Sequence, residues 1–188
     1  MQYNHILAIG MTGMLSGATY DLALKTNRLT CVARTEASLK VIEGGLDLHG
    51  PTFTPLRVDY QQTELFIEQI QKVGGTRSFD LVVAWMHDTG KESLDQLLKF
   101  LSQQPQETRF YHIVGSAVAD PSRPVAMFTP EPESQLHYHR IILGFEIEAN
   151  GRSRWLNHGE ISRGTLEAIK SKAPQSIIGT VEPWDARP

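Results

Sequence analysis

Residues 5–17 read HILAIGMTGMLSG, an apolar run followed at once by a turn that contains three glycines. The run His5–Ile9 is typical of a buried strand, and helix-permitting sequence continues after the turn to about Lys25. A second run with strand character covers Leu29–Ala33. Strand, glycine turn, helix and strand within about 30 residues have the size of one βαβ unit.

The glycines of this turn favour a phosphate-binding function. Gly10, Gly13 and Ser16 have the spacing G-x-x-G-x-x-G with serine in the third place, where close helix–strand packing needs a small residue, and Gly17 follows directly. Glycines let the backbone approach a pyrophosphate, and the N–H groups and dipole of the next helix attract its charge. A tight βα connection without a ligand is the alternative. The cofactor-binding residues predicted in this turn are Gly10, Thr12, Gly13, Met14 and Leu15.

The residues after the second strand distinguish between dinucleotides. An acidic residue at this position binds a ribose hydroxyl, whereas arginine accommodates a 2′-phosphate. This chain has Arg34-Thr35, and its first acid is Glu36. If a dinucleotide binds, the sequence favours NADP(H) over NAD(H), with Arg34 and Thr35 as further binding residues. The alternative for Arg34 is an ordinary solvated charge.

The alternation of strands and helices continues beyond the first unit. Strands are predicted at 51–58, 79–86 and 109–114, and helices at 35–43, 62–73 and 88–103. The run 81–86 is continuously apolar, as in a strand that is covered on both faces. The pattern predicts an α/β fold with a doubly wound, mostly parallel Rossmann-type sheet and helices on both faces. In such sheets ligands bind at the carboxyl ends of the strands.

The pattern breaks after the fifth strand. Four prolines between residues 117 and 135 make a long helix improbable there, and we predict a proline-rich loop that could act as a lid. A strand at 138–149, a type I′ turn at Asn150-Gly151 and a return strand at 152–156 should form a hairpin. Asn157 and Glu160 are spaced as a capping box for a helix at 158–172, and a strand at 176–181 completes this C-terminal β-hairpin–helix–strand extension.

Composition limits the classes of function. A chain of 188 residues fits a single domain spanning residues 1–188. The net charge of −3 and the absence of a basic run argue against nucleic acid as a partner. No apolar stretch approaches the ~18 residues of a membrane span, no secretory signal is visible, and the single Cys31 lies in a predicted strand. We therefore expect a cytoplasmic protein with a buried thiol.

With these residues in view, the chain resembles the short-chain dehydrogenase/reductase superfamily, specifically its small atypical members. The resemblance covers residues 3 to about 116. It implies that Asp59 contacts the adenine amino group and that Ser116, after the fifth strand, takes the place of the catalytic serine. It also places His87 beside the nicotinamide, and Trp85 is a candidate to stack on the cofactor. For Trp85 the alternative is a core position, and for Ser116 and His87 it is a structural one at a strand end.

The superfamily's catalytic pair is missing from this sequence. Its tyrosine exchanges the proton, and a lysine four residues later lowers the pKa of that tyrosine. Here Tyr111 is followed at that distance by Gly115, and Tyr138 by Ile142. His87 or a residue of the proline-rich loop could supply the proton instead. Lys91, near the same edge, is a candidate ribose-binding cation or a solvated side chain.

Three hypotheses follow from the sequence. The first is an NADP(H)-dependent reductase of a small carbonyl compound with non-classical catalytic residues. The second is a catalytically inactive dinucleotide-binding sensor or regulatory protein. The third is a different Rossmann-type protein with another phosphorylated or adenine-containing ligand. No metal is predicted, because His137 and His139 have no third ligand at a suitable spacing. A homodimer through the last helix or the Trp184 tail is a candidate assembly.

Overall fold

The computed structural model describes residues 3–75, 78–123 and 125–188. The strands are β1 (Tyr3–Ile9), β2 (Thr26–Ala33), β3 (Thr52–Arg57), β4 (Leu81–Trp85), β5 (Thr108–Gly115), β6 (Leu136–Leu143), β7 (Phe145–Ile147), β8 (Ser153–Trp155) and β9 (Gln175–Ile178). The α-helices are α1 (Ser16–Ala23), α2 (Glu36–Gly44), α3 (Thr63–Gly74), α4 (Lys91–Ser102) and α5 (His158–Ser171). The predicted order of strands and helices up to β5 is confirmed.

Seven strands form one parallel sheet in the order β3-β2-β1-β4-β5-β6-β9. Helices α1, α2 and α5 pack on one face of this sheet, and α3 and α4 pack on the other. Successive residues of β4 enter the two cores alternately: Leu81 and Val83 face α1, and Val82 and Ala84 face α3. This confirms the predicted doubly wound α/β fold and the strand covered on both faces. Cys31 is buried as expected, and burial raises the pKa of its thiol to about 12.

The single strand predicted at 138–149 is wrong. The chain leaves the large sheet at Gly144, so that β6 ends at Leu143 and β7 pairs with β8 in a separate antiparallel hairpin. The cause is the crossing of a later segment, since a Cβ on Gly144 would lie 2.1 Å from the carbonyl oxygen of Thr180. Only glycine lets the two backbones approach this closely.

The predicted type I′ turn is also wrong. The turn is closed by the Gly151 N–H, which donates to the Glu148 carbonyl at 2.8 Å, and Gly151 has φ +81°. Asn150 has a negative φ, whereas a type I′ turn needs positive values at both central residues. Its side-chain oxygen instead accepts from the Arg152 N–H at 2.8 Å. The connection is therefore a turn ending in a glycine bulge.

The capping box of α5 is confirmed. The Asn157 side chain accepts from the Glu160 N–H at 2.9 Å, and the Glu160 carboxylate accepts from the Asn157 N–H at 2.8 Å. Glu160 also pairs with Arg154 at 2.7 Å, and these bonds lower the pKa of its carboxyl to about 2. The start of α5 is thus fixed to β8.

Replacing Asn157 by alanine is expected to lower the free energy of unfolding by about 1 kcal/mol, because one N–H in the first turn of α5 loses its acceptor. For a domain of this size the melting temperature should fall by about 2–4 °C. Urea denaturation followed by circular dichroism measures the change. Serine at the same position is the control, since it retains a capping oxygen; an equal loss for both variants would contradict the role of the cap.

The predicted proline-rich loop lies across the outer part of the sheet. After a short 3₁₀ turn at Ser116–Ala119, the described residues 120–123 and 125–135 form neither helix nor strand, while Pro124 lies outside the described residues. Phe128 packs on Tyr138 of β6, and Arg140 of β6 donates to the Val125 carbonyl at 3.0 Å. The contacts therefore fall on the α4 face of β6. A lid function for this loop stays a prediction.

Candidate functional site

Two adjoining cavities open at the carboxyl ends of the central strands. The first, of about 330 Å³, is lined by residues at or just beyond the carboxyl ends of β1 to β4 and by one residue of α2: Gly10, Thr12, Val32, Ala33, Arg34, Thr35, Ser38, Val58, Tyr60, Trp85 and His87. The second, of about 250 Å³, is lined by Trp85, Met86, His87, Asp88, Lys91, Leu94, His112, Val114, Gly115, Ala117 and Val118. Trp85 and His87 line both cavities. The structure thus brings most of the predicted site residues to one cleft at the end of β4.

Gly10 is required by the fold itself. Its φ of +70° is in the left-handed region, and a Cβ there would lie 2.3 Å from the carbonyl oxygen of Trp85. Its N–H donates to the Val32 carbonyl at 3.1 Å. The glycine therefore lets the end of β1 pass close to the ends of β2 and β4.

Gly13 has a different environment. A Cβ placed there would meet nothing within 4 Å, and the residue is exposed. Nothing in the described chain demands glycine at this position. The space over Gly13 is therefore available to a ligand that approaches the backbone.

The helix that follows has no side-chain cap. Its N-cap residue, Leu15, is fully buried and gives no capping bond, and no acidic residue lies in the first turn of α1. Thr35 and Asn157 cap α2 and α5 with their side chains, whereas α3 and α4 lack a side-chain cap as α1 does. Met14 is partly buried, so Met14 and Leu15 offer backbone rather than side-chain groups at this turn. The Ser16 N–H already donates to the Gly13 carbonyl at 2.9 Å, so the N–H groups that follow it in the first turn are the ones that could bind an anion.

The third small residue of the motif is Gly17 rather than Ser16. Ser16 is the first residue of α1 and is half-buried, whereas a Cβ on Gly17 would lie 3.0 Å from the Ser162 hydroxyl of α5. The predicted close packing is therefore between two helices, not between a helix and a strand. Ser162 itself donates to the Met14 carbonyl at 3.4 Å and helps to position the glycine turn.

Arg34 carries an unpaired positive charge at the first cavity. It is exposed, and within residues 3–75, 78–123 and 125–188 its guanidinium has no hydrogen bond or ion pair. Thr35 caps α2 by accepting from the Ser38 N–H at 3.4 Å, and both side chains border the same cavity. The nearby acid, Glu36, is paired with Lys40 at 2.7 Å. The charge of Arg34 is thus available to a bound anion.

Asp59 lies at the turn before α3. Its carboxylate accepts from the Gln61 N–H at 3.0 Å, and its carbonyl accepts from the Gln62 N–H at 2.9 Å. Val58 and Tyr60, on either side, line the first cavity. The expected contact of Asp59 with adenine stays a prediction, and Tyr60 is a neighbour that sequence reasoning did not select.

Trp85 and His87 meet where the two cavities join. Their rings lie 5.2 Å apart in an edge-on arrangement, with Trp85 half-buried and His87 exposed. The His87 N–H donates to the Tyr60 hydroxyl at 3.3 Å, which connects the ends of β3 and β4. Both side chains can therefore contact a ligand that spans the cleft.

Ser116 differs from a simple turn residue. It is 3% exposed, and its hydroxyl accepts from Nε of Arg187 at 2.9 Å. Its neighbours Gly115 and Ala117 line the second cavity. Sequence reasoning missed Arg187, because nothing near position 187 indicates that the tail returns to β5.

His112 and Tyr138 form a second pair that sequence reasoning missed. Nδ1 of His112 lies 2.8 Å from the Tyr138 hydroxyl, and His112 lines the second cavity. Burial, together with the charge of Arg140, lowers the pKa of His112 to about 4, and burial raises that of Tyr138 to about 12. In the described chain Nε2 of His112 is buried without a hydrogen-bond partner. At neutral pH both groups are uncharged.

His112 should make stability depend on pH. An unfolded histidine takes up a proton near its ordinary pKa of 6.5, whereas the folded side chain resists protonation down to about 4. The unfolded state binds more protons in this window, so the free energy of unfolding should fall as the pH drops from about 6.5 to about 4. Urea denaturation at several pH values should show that the free energy of unfolding changes less steeply with pH in His112→Gln than in the wild type. His49→Gln, an exposed histidine on another loop, is the matched control; equal slopes in the wild type and in His112→Gln would contradict the assignment.

The segment between β5 and β6 has no α-helix among its described residues 116–123 and 125–135. Tyr138 lies within β6 instead, with Ile142 four positions later.

Seven parallel strands with helices on both faces define a Rossmann-type fold. No family model matches the chain, and no curated protein is similar to it in sequence. The resemblance to short-chain dehydrogenases is confirmed for the fold by solved structures.

Three of these structures illustrate the likeness. A short-chain type dehydrogenase/reductase from Mycobacterium marinum has a TM-score of 0.70 and 12% identity, with 96% of this chain and 95% of that chain covered. The bulky-bulky ketone specific alcohol dehydrogenase from Comamonas testosteroni has a TM-score of 0.68 and 13% identity, with 98% and 90% covered. An NADH-dependent reductase complexed with NAD has a TM-score of 0.65 and 10% identity, with 95% and 96% covered.

The described residues lack two further kinds of feature. They contain no helix of the length and apolar character that crossing a membrane requires. Within the same residues, no group of three or more histidine, cysteine, aspartate or glutamate side chains is placed to hold a metal ion.

Proposed function

We propose that this protein binds NADP(H) in the cleft at the carboxyl ends of β1 to β5 and acts as a reductase of a small carbonyl compound. The observation that carries the proposal is the open space over Gly13, which adjoins the uncapped start of α1. A backbone that offers free N–H groups without a covering side chain suits a pyrophosphate. The fold shared with an NADH-dependent reductase and with an oxidoreductase that has NAD bound supports a dinucleotide as the ligand.

Each part of the cleft has a matching chemical role. Gly10, Thr12, Gly13, Met14 and Leu15 would hold the pyrophosphate through backbone N–H groups. Arg34, Thr35 and Ser38 would hold the 2′-phosphate, because an unpaired guanidinium and two hydroxyls border that end of the first cavity. Val58, Asp59 and Tyr60 would border the adenine, and Trp85 would contact the nicotinamide end.

When bound, the cofactor supplies the hydride. The chain's own groups near the second cavity are Ser116 and His87, either of which could donate a hydrogen bond to a carbonyl oxygen. Hydride transfer needs mainly position and electrostatics from the protein. The missing tyrosine–lysine pair therefore does not exclude turnover.

A second candidate is a dinucleotide sensor without turnover. The observation that favours it is the connection between β5 and β6, whose described residues form no α-helix on which a catalytic tyrosine–lysine pair could lie. In this case the cleft would bind NADP(H), but no carbonyl compound would be reduced. A cytoplasmic location and a homodimer are part of both proposals, and size-exclusion chromatography with light scattering tests the dimer.

Fluorescence titration with NADPH and NADH tests the proposal. We expect saturable binding of NADPH and weaker binding of NADH; no binding of either would overturn it. Oxidation of NADPH in the presence of aldehydes, ketones and quinones then separates the candidates. Turnover supports the reductase, and tight binding without turnover supports the sensor.

A further inference from the structure

The C-terminal segment folds back across the carboxyl edge of the sheet. Thr180 and Phe145 exchange two backbone hydrogen bonds, of 2.8 and 2.9 Å, so that the segment after β9 is tied to the start of β7. A 3₁₀ turn at Trp184–Ala186 then directs Arg187 to the end of β5. The segment therefore places a cation beside Ser116.

Three side chains hold the guanidinium of Arg187. Its Nε donates to the Ser116 hydroxyl at 2.9 Å, and its Cζ lies 5.3 Å from the ring centroids of both Trp155 and Trp184. A guanidinium is attracted to the faces of indole rings and needs no carboxylate to be held there. Arg187 is thus oriented before any ligand arrives.

The other N–H groups of Arg187 remain free. In the part of the chain that the structure describes, they have no acceptor, and no carboxylate lies within ion-pair distance of the guanidinium. Hydrogen bonds from Ser122 are the main cause that lowers the pKa of Asp120, and the charge of Arg187 makes a smaller contribution. Both Arg187 and Trp155 are exposed, the latter to 48%. A ligand from solvent can therefore reach the guanidinium.

Ser116 connects this cation to the cleft. Because its hydroxyl accepts from Arg187, its own proton remains available for donation to a second acceptor. Gly115 and Ala117, which flank it, line the second cavity. Ser116 itself is 3% exposed and does not line that cavity, so a small molecule bound to the guanidinium would meet the hydroxyl at the buried end of the site.

We infer that Arg187, Ser116, Trp155 and Trp184 form a carboxylate-binding subsite for a 2-oxo acid. A guanidinium binds a carboxylate through two parallel N–H bonds, which a carbonyl or an alcohol cannot match. The hydroxyl of Ser116 would meet the adjacent carbonyl oxygen, and the two indoles keep the guanidinium in place for the carboxylate. That the 2-oxo acid is the substrate rests on the proposed reductase function; the carboxylate preference does not.

Tryptophan fluorescence tests the subsite with 2-oxobutanoate and its uncharged methyl ester as probes. We expect saturable quenching by the acid, with at least a tenfold weaker response to the ester. Arg187→Ala should weaken binding of the acid at least tenfold. Arg187→Lys should weaken it severalfold, because lysine keeps the charge but cannot donate two parallel N–H bonds to one carboxylate. Arg163→Ala, an exposed arginine on α5, is the matched control and should bind the acid normally.

Other outcomes separate this inference from the proposed function. Equal binding of acid and ester, or displacement of the acid by an equal concentration of inorganic phosphate, would overturn the carboxylate assignment. Unchanged affinity in Arg187→Ala would also overturn it and would leave Arg187 as a brace for the tail. Arg187→Ala should bind NADPH as the wild type does. Failure of the wild type to bind NADPH would refute only the proposed function.

Discussion

Replacing Gly13 by valine is expected to abolish binding of both NADPH and NADH, with a loss of affinity of at least ~100-fold. The added side chain would fill the space over the start of α1, where the pyrophosphate must approach the backbone. The protein itself should be little affected, since a Cβ at this position meets nothing within 4 Å. Titration of the purified variant by cofactor fluorescence measures the loss.

Gly10→Ala is the matched comparison, because the fold requires glycine at position 10 but not at position 13. At Gly10 the φ of +70° and the contact with the Trp85 carbonyl oppose any side chain. We expect a loss of at least ~2 kcal/mol in the free energy of unfolding, visible as a melting temperature several degrees lower. If Gly13→Val lost as much stability as Gly10→Ala, the open space at Gly13 would be explained by folding rather than by a ligand.

Replacing Arg34 by alanine is expected to weaken NADPH binding by about 10- to 100-fold and to leave NADH binding unchanged. The reason is the loss of charge-assisted hydrogen bonds to the 2′-phosphate, worth about 1.5–3 kcal/mol. The guanidinium has no partner among the described residues, so its removal should not disturb the fold. Thermal melting without ligand checks that point.

Arg152→Ala is the control for the net charge, since Arg152 is exposed in the distant hairpin. Its affinity for NADPH should equal that of the wild type. An equal loss of NADPH and NADH binding in Arg34→Ala would remove the argument for NADP(H). The prediction concerns the ratio of the NADPH affinity to the NADH affinity, which should fall in Arg34→Ala. A parallel fall of both affinities is not expected.

The sequence determines the first five strands because their signals are local. Continuous apolar runs such as Leu81–Trp85 and glycine stops such as Gly44 are read within a few residues. The same holds for the Asn157 capping box. The break at Gly144 could not be predicted in this way, since its cause is the carbonyl of Thr180, more than thirty residues later.

The candidate site likewise contains residues that a local sequence pattern predicts and residues that no local pattern predicts. The glycine turn and Arg34 were found because dinucleotide binding imposes a spacing on consecutive residues. Arg187 and His112 were not found, because their partners Ser116 and Tyr138 are far from them in the sequence. Only the folded register brings Phe110 opposite Tyr138, with His112 two residues further along β5. Contacts between distant residues leave no local pattern.

The edge strands of the large sheet, β3 and β9, limit the pairing of this sheet with other molecules. β9 is short and covers the free side of β6, whose residues Ile141, Ile142 and Leu143 are all apolar and buried. At the opposite border, β3 carries Pro55, which cannot donate a hydrogen bond to an incoming chain. Ending the chain before Gln175 would remove β9 and expose the backbone hydrogen-bonding groups of β6, which is an apolar strand. We would then expect molecules to aggregate by pairing of these exposed strand edges.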